Sequence, residues 1–481
     1  MSDDAPASAP TTNPPAATHR FLQEGVTYAL VEAGQQGLGL LVVPALFVWL
    51  TPTDVGYVTG ALVASLVANT LGTLGLDFTV LRQYFGWAEA ERAALVGRVL
   101  LFVSLWSAAL FAVTVVAGRF VTDEAWRVAT TWGVAGGLLT GVRAIPLAVM
   151  RVQGLLKPYA MVVIGGSVVQ AAGQIALMWL GWAAPGYLQA IAFAMGASAM
   201  LCVWQARSFL AWSRPRAEPV SALWRYTFSV LPANLFNRFV SMADRVTMSF
   251  ATSVEALGVY GAASRFMTPL KLFSGGFKTA LVPALSRGEG AAGGEEEFGH
   301  LATLMVLLLL CGGLLVMAGT WFVRLTPWQA QVGMLEQLVG LLVVAQLLAG
   351  LVFLLQLRLY YSSRPGLTAY IGAANSAALL LALAGLVPRW GARGAAVAEL
   401  VAGLVGVATA WILVTRVDRR HALWWKLSAL CASCAPTVVA MWWLAPTGRL
   451  LVSTASLVAY AVGLVRVARR SRAPLPLGAA G

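Results

Sequence analysis

Long apolar stretches dominate the chain, and short polar segments separate them at regular intervals. Each stretch has about the 20 residues that a helix needs to cross a bilayer, and few charges interrupt it. The pattern therefore predicts an all-α polytopic membrane protein with about 14 transmembrane helices. We place these helices at 22–50, 57–81, 95–118, 129–150, 160–181, 186–206, 226–250, 258–285, 301–322, 335–357, 367–387, 393–415, 425–444 and 450–467.

The first six predicted helices recur as helices 7–12. The motif Asp54–Tyr57 leads into helix 2, and the similar motif Glu255–Tyr260 leads into helix 8. Arg151 is followed by a Lys-Pro pair, and Arg358 is followed at the same distance by an Arg-Pro pair. The offset between copies stays between 202 and 208 residues. A constant offset in the same helix order predicts two pseudo-symmetric six-helix bundles, followed by two extra C-terminal helices.

These boundaries divide the chain into six segments. The Pro- and Ala-rich segment 1–20 has no apolar core and begins with two aspartates, so we expect a disordered tail. The predicted segments after it are an N-lobe at 21–210, a basic linker at 211–224, a C-lobe at 225–416, helices 13 and 14 at 417–468, and a tail at 469–481. Lys and Arg are in large excess on the side of the N-terminus, which predicts a multi-pass inner (cytoplasmic) membrane protein with both termini cytoplasmic.

Composition narrows the function classes. Lys and Arg number 33 against 20 Asp and Glu, for a formal charge of +13. Only 11% of the residues are charged and 59% are hydrophobic, whereas soluble proteins carry about 25% charged residues, so we expect no nucleic-acid partner. The chain has no Walker A sequence, only three His and only short outward loops. We therefore expect no enzymatic activity, no metal site and no cofactor.

Charged side chains inside predicted membrane helices are the candidates for function, because each costs about 2.5–3.5 kcal/mol at a helix centre. Helix 7 carries a polar face made of Asn234, Arg238, Ser241, Arg245 and Ser249. Helix 8 carries Ser264, Thr268, Lys271, Gly275 and Lys278 on one face, beside Arg265. Helix 4 adds Arg143. The uncharged positions would also suit plain helix packing, and Arg245, Arg265 and Lys278 lie near enough to predicted helix ends to extend toward the interface.

Acids on these helices are fewer than the cations. Glu32, Asp77 and Asp244 face six cations on helices 4, 7 and 8, which predicts a cavity that binds an anion such as a pyrophosphate. The predicted substrate-binding residues are Arg143, Asn234, Arg238, Arg245, Arg265, Lys271 and Lys278. The three acids are candidates to couple transport to a proton or another ion, or are simple ion-pair partners of the cations.

Three motifs in the second half are those of a known family. Leu231–Asn234 with Asp244–Arg245, then Glu255–Ala263, then Pro283–Arg287 resemble the O-antigen type polysaccharide flippases of the multidrug/oligosaccharidyl-lipid/polysaccharide exporter superfamily. The resemblance implies two lobes, alternating access, and export of an undecaprenyl-pyrophosphate-linked glycan for exopolysaccharide, capsule or O-antigen synthesis. It also implies membrane lipids, a polysaccharide polymerase and a co-polymerase as partners. The glycan itself is not readable from the residues.

Three alternatives stay open at this point. Fourteen helices, rather than twelve, favour a lipid II-type flippase. A MATE-like multidrug antiporter shares the superfamily, although a cavity for organic cations should be acidic. A membrane enzyme of the same pathway, such as a glycan polymerase or ligase, needs a long outward loop that the spacing of the helices does not leave.

Overall fold

The computed structural model describes residues 14–211, 217–272, 274, 294–360 and 366–417. Throughout those ranges the regular structure is helical, as predicted. The α-helices are α1 (Pro14–Trp49), α2 (Pro52–Thr73), α3 (Leu76–Gln83), α4 (Glu89–Gly118), α5 (Glu124–Val152), α6 (Leu156–Trp179), α7 (Ala183–Gln205), α8 (Ala217–Val240), α9 (Ala243–Ala251), α10 (Val254–Phe266), α11 (Gly294–Gly319), α12 (Val332–Tyr360) and α13 (Leu367–Val417). Short 3-10 turns follow α3, α7 and α11.

Nine of the described spans are long and apolar enough to cross a membrane. One of them, α13, has 51 residues, or about 75 Å at 1.5 Å per residue, which is twice the thickness of a bilayer core. It bends at Gly391, whose φ of 56° and ψ of −131° glycine adopts without a Cβ penalty. Therefore α13 contains both predicted helices 11 and 12.

Several predicted segments begin or end differently from the prediction, or fall outside the description. Helix α1 starts at Pro14, so residues 14–20 of the predicted tail are helical. The predicted helices at 425–444 and 450–467, the tail at 469–481 and the end of predicted helix 8, with Gly275 and Lys278, lie outside the described residues. The total of 14 helices therefore stays a prediction.

Predicted helices 2 and 7 are broken rather than continuous. Predicted helix 2 divides into α2 and α3 at Leu74 and Gly75, which both have left-handed φ angles, 51° and 79°. Predicted helix 7 divides into α8 and α9 at a turn over Ser241 and Met242. Backbone groups released at such a break can be satisfied only beside protein or a polar cavity. Both breaks therefore lie where α2 and α3 pack against α8 and α9.

The N-lobe (α1–α7) and the C-lobe (α8–α13) meet most closely where α2 and α10 begin. A Cβ on Gly258 would lie 1.8 Å from the carbonyl oxygen of Pro52, and a Cβ on Gly56 would lie 2.0 Å from that of Val254. Gly258 thus packs on Pro52, four residues before Gly56, and Gly56 packs on Val254, four residues before Gly258. Glycine at both positions is a steric requirement of this crossing, which we call the glycine crossing.

A tryptophan adds a second contact between the lobes at the same end. Trp328, from the loop between α11 and α12, is fully buried and donates its Nε1–H to the carbonyl oxygen of Leu50, 2.8 Å away at the end of α1. The indole ring also packs edge-on against Phe47, with ring centroids 4.9 Å apart. The lobes are therefore closed against each other at the end where α2 and α10 begin.

A second set of contacts joins the lobes at the opposite end, where Trp224 on α8 also packs edge-on against Phe102 on α4, with ring centroids 4.9 Å apart. The hydroxyls of Thr79 on α3 and Thr227 on α8 are 2.9 Å apart and buried. One turn further along α3, the guanidinium of Arg82 lies over the ring of Tyr226, 5.5 Å from its centroid. We call this pair of contacts the threonine contact.

Candidate functional site

A cavity of about 330 Å³ lies between the lobes, between the glycine crossing and the threonine contact. The N-lobe lines it from α2 and α5, and the C-lobe lines it from α9, α10 and the turn before α9. Its lining residues are Thr59, Leu62, Ser65, Leu66, Asn69, Gly137, Thr140, Met242, Arg245, Gly261, Ser264 and Arg265.

Two arginines form the charged part of this wall, and both come from the C-lobe. Arg245 donates from Nη2 to Ser264 Oγ at 3.1 Å and from Nη1 to the sulfur of Met242 at 2.9 Å. Arg265 donates from Nη1 to the hydroxyl of Tyr187 across the lobe boundary at 2.6 Å. Its Nη2 is buried and has no hydrogen-bond partner among the described residues.

The depth of Arg265 decides whether it can reach the membrane surface. Because α10 begins at Val254 rather than at the predicted 258, Arg265 lies about 16 Å along the helix from its start. That distance is about half of a 30 Å bilayer core. The sequence left open that the Arg265 side chain extends to the membrane interface. At this depth that extension does not explain a cation inside the membrane, whereas the polar cavity does.

The N-lobe part of the wall is polar but uncharged among the described lining residues. Thr140 donates its hydroxyl hydrogen to the carbonyl oxygen of Gly136 at 2.7 Å, so its oxygen is left to accept. The amide Oδ1 of Asn69 is buried without a hydrogen-bond partner in the described structure. The cavity thus has its charged groups on the C-lobe wall, and neutral polar groups alternate with Leu62 and Leu66 on the N-lobe wall.

The break between α8 and α9 separates two residues that the sequence placed on one face. Arg245 lines the cavity, whereas Arg238 lines a neighbouring apolar groove of about 220 Å³ between α2 and α8. Leu66 and Met242 border both spaces. The prediction of a single continuous polar face on helix 7 is therefore wrong, because the helix turns between the two arginines.

Asn234 and Asp77 lie at the break in the other helix. The Nδ2 of Asn234 is 3.4 Å from where a Cβ of Gly75 would be, so it faces the turn between α2 and α3. Asp77, in the first turn of α3, is close enough to Arg238 for electrostatic attraction. Asn234 Nδ2 and Asp77 Oδ1 are both buried and have no hydrogen-bond partner in the described structure.

A pair of carboxylates lies inside the C-lobe. The hydroxyl of Tyr260 lies 2.7 Å from Asp244 Oδ2 and 3.3 Å from Glu399 Oε1 on α13. Lys271 and Arg245 are the cations that attract Glu399. Sequence reasoning missed Glu399, although the cost of a charge in a predicted membrane helix was the signal for it. Lys271, predicted to bind substrate, lies at this acid cluster and not among the cavity-lining residues.

Glu32, predicted as a coupling residue, has a partner outside the cavity. Its Oε1 accepts hydrogen bonds from Arg151 Nη2 at 2.7 Å and from the hydroxyl of Tyr159 at 3.1 Å. About half of the Glu32 side chain is exposed. An exposed ion pair of this kind contributes about 0–1 kcal/mol to stability. In this structure Glu32 is therefore an ion-pair partner of Arg151.

Arg143 is enclosed by the helices of the N-lobe. It is 7% exposed, and its Nη1 donates to Ser198 Oγ at 3.1 Å. A Cβ on Gly166 would lie 2.9 Å from the same Ser198 oxygen, which leaves little free space at that point. The structure therefore brings Arg245 and Arg265 together in the cavity and leaves Arg143 within the N-lobe.

Solved structures of membrane transporters share this fold. The lipid II flippase MurJ in an inward closed conformation matches with a TM-score of 0.70 and 12% identity, over 92% of this chain and 99% of that chain. An inward-facing multidrug resistance MATE family transporter of the MOP superfamily matches with a TM-score of 0.54 and 14% identity, over 83% and 96%. A Vibrio cholerae MATE transporter matches with a TM-score of 0.50 and 16% identity, over 85% and 100%.

The sequence comparisons give the family. No curated protein sequence matches the chain. A family model described as polysaccharide biosynthesis protein matches residues 21–289, which is more than half of the 481 residues. With this match, the polytopic helical fold and the predicted resemblance to polysaccharide flippases are confirmed. The chain belongs to the polysaccharide biosynthesis protein family.

Proposed function

We propose that this protein moves an undecaprenyl-pyrophosphate-linked oligosaccharide repeat unit across the inner membrane, for the synthesis of a surface polysaccharide. The observation that carries the proposal is the pair Arg245 and Arg265 on the wall of a cavity at the middle of the membrane. Guanidinium groups bind phosphate oxygens through charge-assisted hydrogen bonds, and both arginines line the cavity. The lipid chain would remain in the bilayer beside the lobes.

Alternating access follows from the two contacts between the lobes. The glycine crossing and the Trp328 contact close the end that the Lys and Arg distribution assigns to the outside. The threonine contact lies on the proposed cytoplasmic side, beside the packing of Leu223 and Trp224 against the N-lobe. In this proposal these contacts separate to admit the head group from the cytoplasm, and the glycine crossing separates to release it.

Transport can be measured with purified protein in proteoliposomes that contain a fluorescent undecaprenyl-pyrophosphate-linked oligosaccharide. We expect the wild type to expose the labelled glycan to an added glycosidase beyond the fraction exposed in protein-free vesicles. A fluorescent organic cation offered to the same vesicles should not be transported. Transport of the cation without the glycan would refute the proposal in favour of a drug antiporter, and preference for lipid II would identify that glycolipid as the cargo.

For coupling, we propose the acid cluster of Asp244, Tyr260 and Glu399 as the group that takes up a proton or another ion. Two carboxylates that share one tyrosine hydroxyl repel each other when both are charged, and Lys271 and Arg245 are the cations that attract Glu399. Uptake of one cation would relieve the repulsion. Because α9, α10 and α13 each contribute one member, this uptake would change how the helices of the C-lobe pack.

The Glu399→Gln variant tests the coupling role. It keeps the shape of the side chain and removes one negative charge, so flipping should lose its dependence on an imposed pH or sodium gradient. Initial rates with and without each gradient would be compared for this variant and for Glu336→Gln, whose carboxylate pairs with Arg324 away from the cavity. If wild-type flipping is already independent of both gradients, the cluster has no coupling role.

A further inference from the structure

An apolar groove adjoins the central cavity at the boundary between the lobes. It lies between α2 and α8 and has a volume of about 220 Å³. Leu66 and Met242 border both the groove and the cavity. Both side chains are half-buried, and methionine adapts its shape readily because its side chain is unbranched and flexible. A flexible molecule bound in the cavity can therefore continue past them into this space, which we call the α2–α8 groove.

The α2–α8 groove is lined by hydrocarbon and opens at the surface of the protein. Val67 and Leu71 on α2 and Phe239 on α8 line it and are exposed. Thr70 has no hydroxyl hydrogen to offer, because it already donates to the carbonyl oxygen of Leu66, 2.8 Å away. Sugar hydroxyls would lose hydrogen bonds in such a space, whereas a hydrocarbon chain would not. The groove therefore suits a lipid chain and not a glycan.

The groove extends from the cavity toward the cytoplasmic leaflet. The α2 residues that line it lie roughly 21–29 Å along the helix from Pro52, at 1.5 Å per residue. A bilayer core is about 30 Å thick, and Pro52 lies at the end that the Lys and Arg distribution assigns to the outside. A chain that joins a head group in the cavity to the cytoplasmic leaflet can follow this path.

Arg238 is the one charged residue among the described residues that line the groove. Asp77 on the N-lobe attracts it. A cation in hydrocarbon costs free energy unless an anion is near, so this groove favours a chain that carries negative charge at one end. A polyprenyl chain that ends in a pyrophosphate has this composition, with its charged end on the side of the cavity.

We propose that the α2–α8 groove holds the segment of the polyprenyl chain next to the pyrophosphate, so that the chain leaves the protein between α2 and α8. The inference rests on the proposed function and adds to it the side on which the lipid chain leaves the cavity. The groove is smaller than the roughly 300–1,000 Å³ of small-molecule sites, so only the first part of the chain lies in it. Because membrane lipid is as apolar as the groove, the groove orients the chain rather than supplying most of the affinity.

Photo-crosslinking tests where the chain lies. The probe is undecaprenyl pyrophosphate with a diazirine on the isoprene unit next to the pyrophosphate, added to the purified full-length protein in phosphatidylglycerol nanodiscs. We expect its adducts, mapped by mass spectrometry of peptides, on residues 66–71 and 235–239. A phosphatidylglycerol with a diazirine on its acyl chain is the comparison. Unlabelled undecaprenyl pyrophosphate should protect the same residues from this second probe and should not protect Val113, which is exposed on α4.

Two variants block the groove, one from each lobe. Val67→Trp and Leu235→Trp place an indole at positions that line the groove and not the cavity. Each should weaken the binding of undecaprenyl pyrophosphate at least about fivefold, the smallest effect expected from overpacking. Inorganic pyrophosphate has no chain and should bind both variants as it binds the wild type. Val113→Trp is the matched control and should change neither affinity.

The outcomes separate this inference from the function on which it rests. Wild-type binding of undecaprenyl pyrophosphate with adducts on other helices would overturn the groove as the path of the chain and leave the proposed function standing. Labelling by phosphatidylglycerol that undecaprenyl pyrophosphate does not reduce would assign the groove to bilayer lipid. Equal weakening of inorganic pyrophosphate in the tryptophan variants would also overturn the inference, because the effect would not depend on the chain. If the wild type does not bind undecaprenyl pyrophosphate, the proposed function fails and the inference fails with it.

Discussion

Gly258→Ala should prevent the lobes from closing where α2 and α10 begin, and flipping should be lost. The new Cβ would lie 1.8 Å from the carbonyl oxygen of Pro52, a distance that only movement of one helix backbone can relieve. Overpacking of this kind costs about 1–3 kcal/mol or more, which shifts a two-state equilibrium by roughly 5- to 150-fold. Alanine favours helix by about 1 kcal/mol over glycine, so α10 itself should still form.

The shift can be measured as a distance. Spin labels at Thr53 and Ala251, both exposed near the glycine crossing, should move apart in Gly258→Ala relative to the wild type, in a background without the four native cysteines. The reciprocal variant Gly56→Ala should behave in the same way. Gly165→Ala is the matched control, because a Cβ there meets nothing within 4 Å. A wild-type distance in Gly258→Ala would show that the crossing is not what closes this end.

The Arg245→Gln/Arg265→Gln variant should bind undecaprenyl pyrophosphate at least about 100-fold more weakly than the wild type. A hydrogen bond to a charged group contributes about 1.5–3 kcal/mol, and two such bonds correspond to at least two orders of magnitude in affinity. Glutamine is neutral and two bonds shorter than arginine, so the variant loses both the charge and the reach that each of these hydrogen bonds requires. Loss of two cations from the membrane interior also removes their desolvation cost, so the variant should remain folded.

Arg127→Gln provides the comparison for this pair. Its guanidinium is 43% exposed and pairs with Glu124 on the same helix, so loss of its charge should leave pyrophosphate affinity within about twofold, as expected for a surface pair. Affinity would be measured with the lipid in nanodiscs at fixed ionic strength. Wild-type affinity in the double arginine variant would place the anion elsewhere and would contradict the proposed site.

The apolar pattern predicted most of the fold because hydrophobic length determines which segments can cross a bilayer. The repeat was also visible: Gly56 and Gly258 were equivalent positions before the structure showed them in contact. The two helix breaks were not visible in this way. At the first break Gly75, whose φ is 79°, is a local signal that the apolar pattern alone did not use. At the second break Ser241–Met242 carries no Pro or Gly, so tertiary packing rather than local preference determines that turn.

The sequence predicted a positively charged site, but it did not predict all of the residues that form the site. Spacing along one helix placed Arg238 and Arg245 together, and the turn between them removed Arg238 from the cavity. Charge counting on helices 4, 7 and 8 left out Glu399, which lies far along the chain and meets Asp244 only through tertiary folding. The sequence used Arg151 only as a marker of the repeat, although it is also the partner of Glu32. Pairings between distant helices are what a single sequence does not show.

The glycine crossing has the reciprocity of a contact between identical subunits. Gly56 meets the residue four before Gly258, and Gly258 meets the residue four before Gly56, which is the rule for a twofold interface of a homodimer. Such an interface would be the natural consequence of an ancestor that paired two copies of a six-helix chain before its gene was duplicated and fused. The cavity departs from this twofold symmetry, because its charged lining residues, Arg245 and Arg265, both lie on the C-lobe.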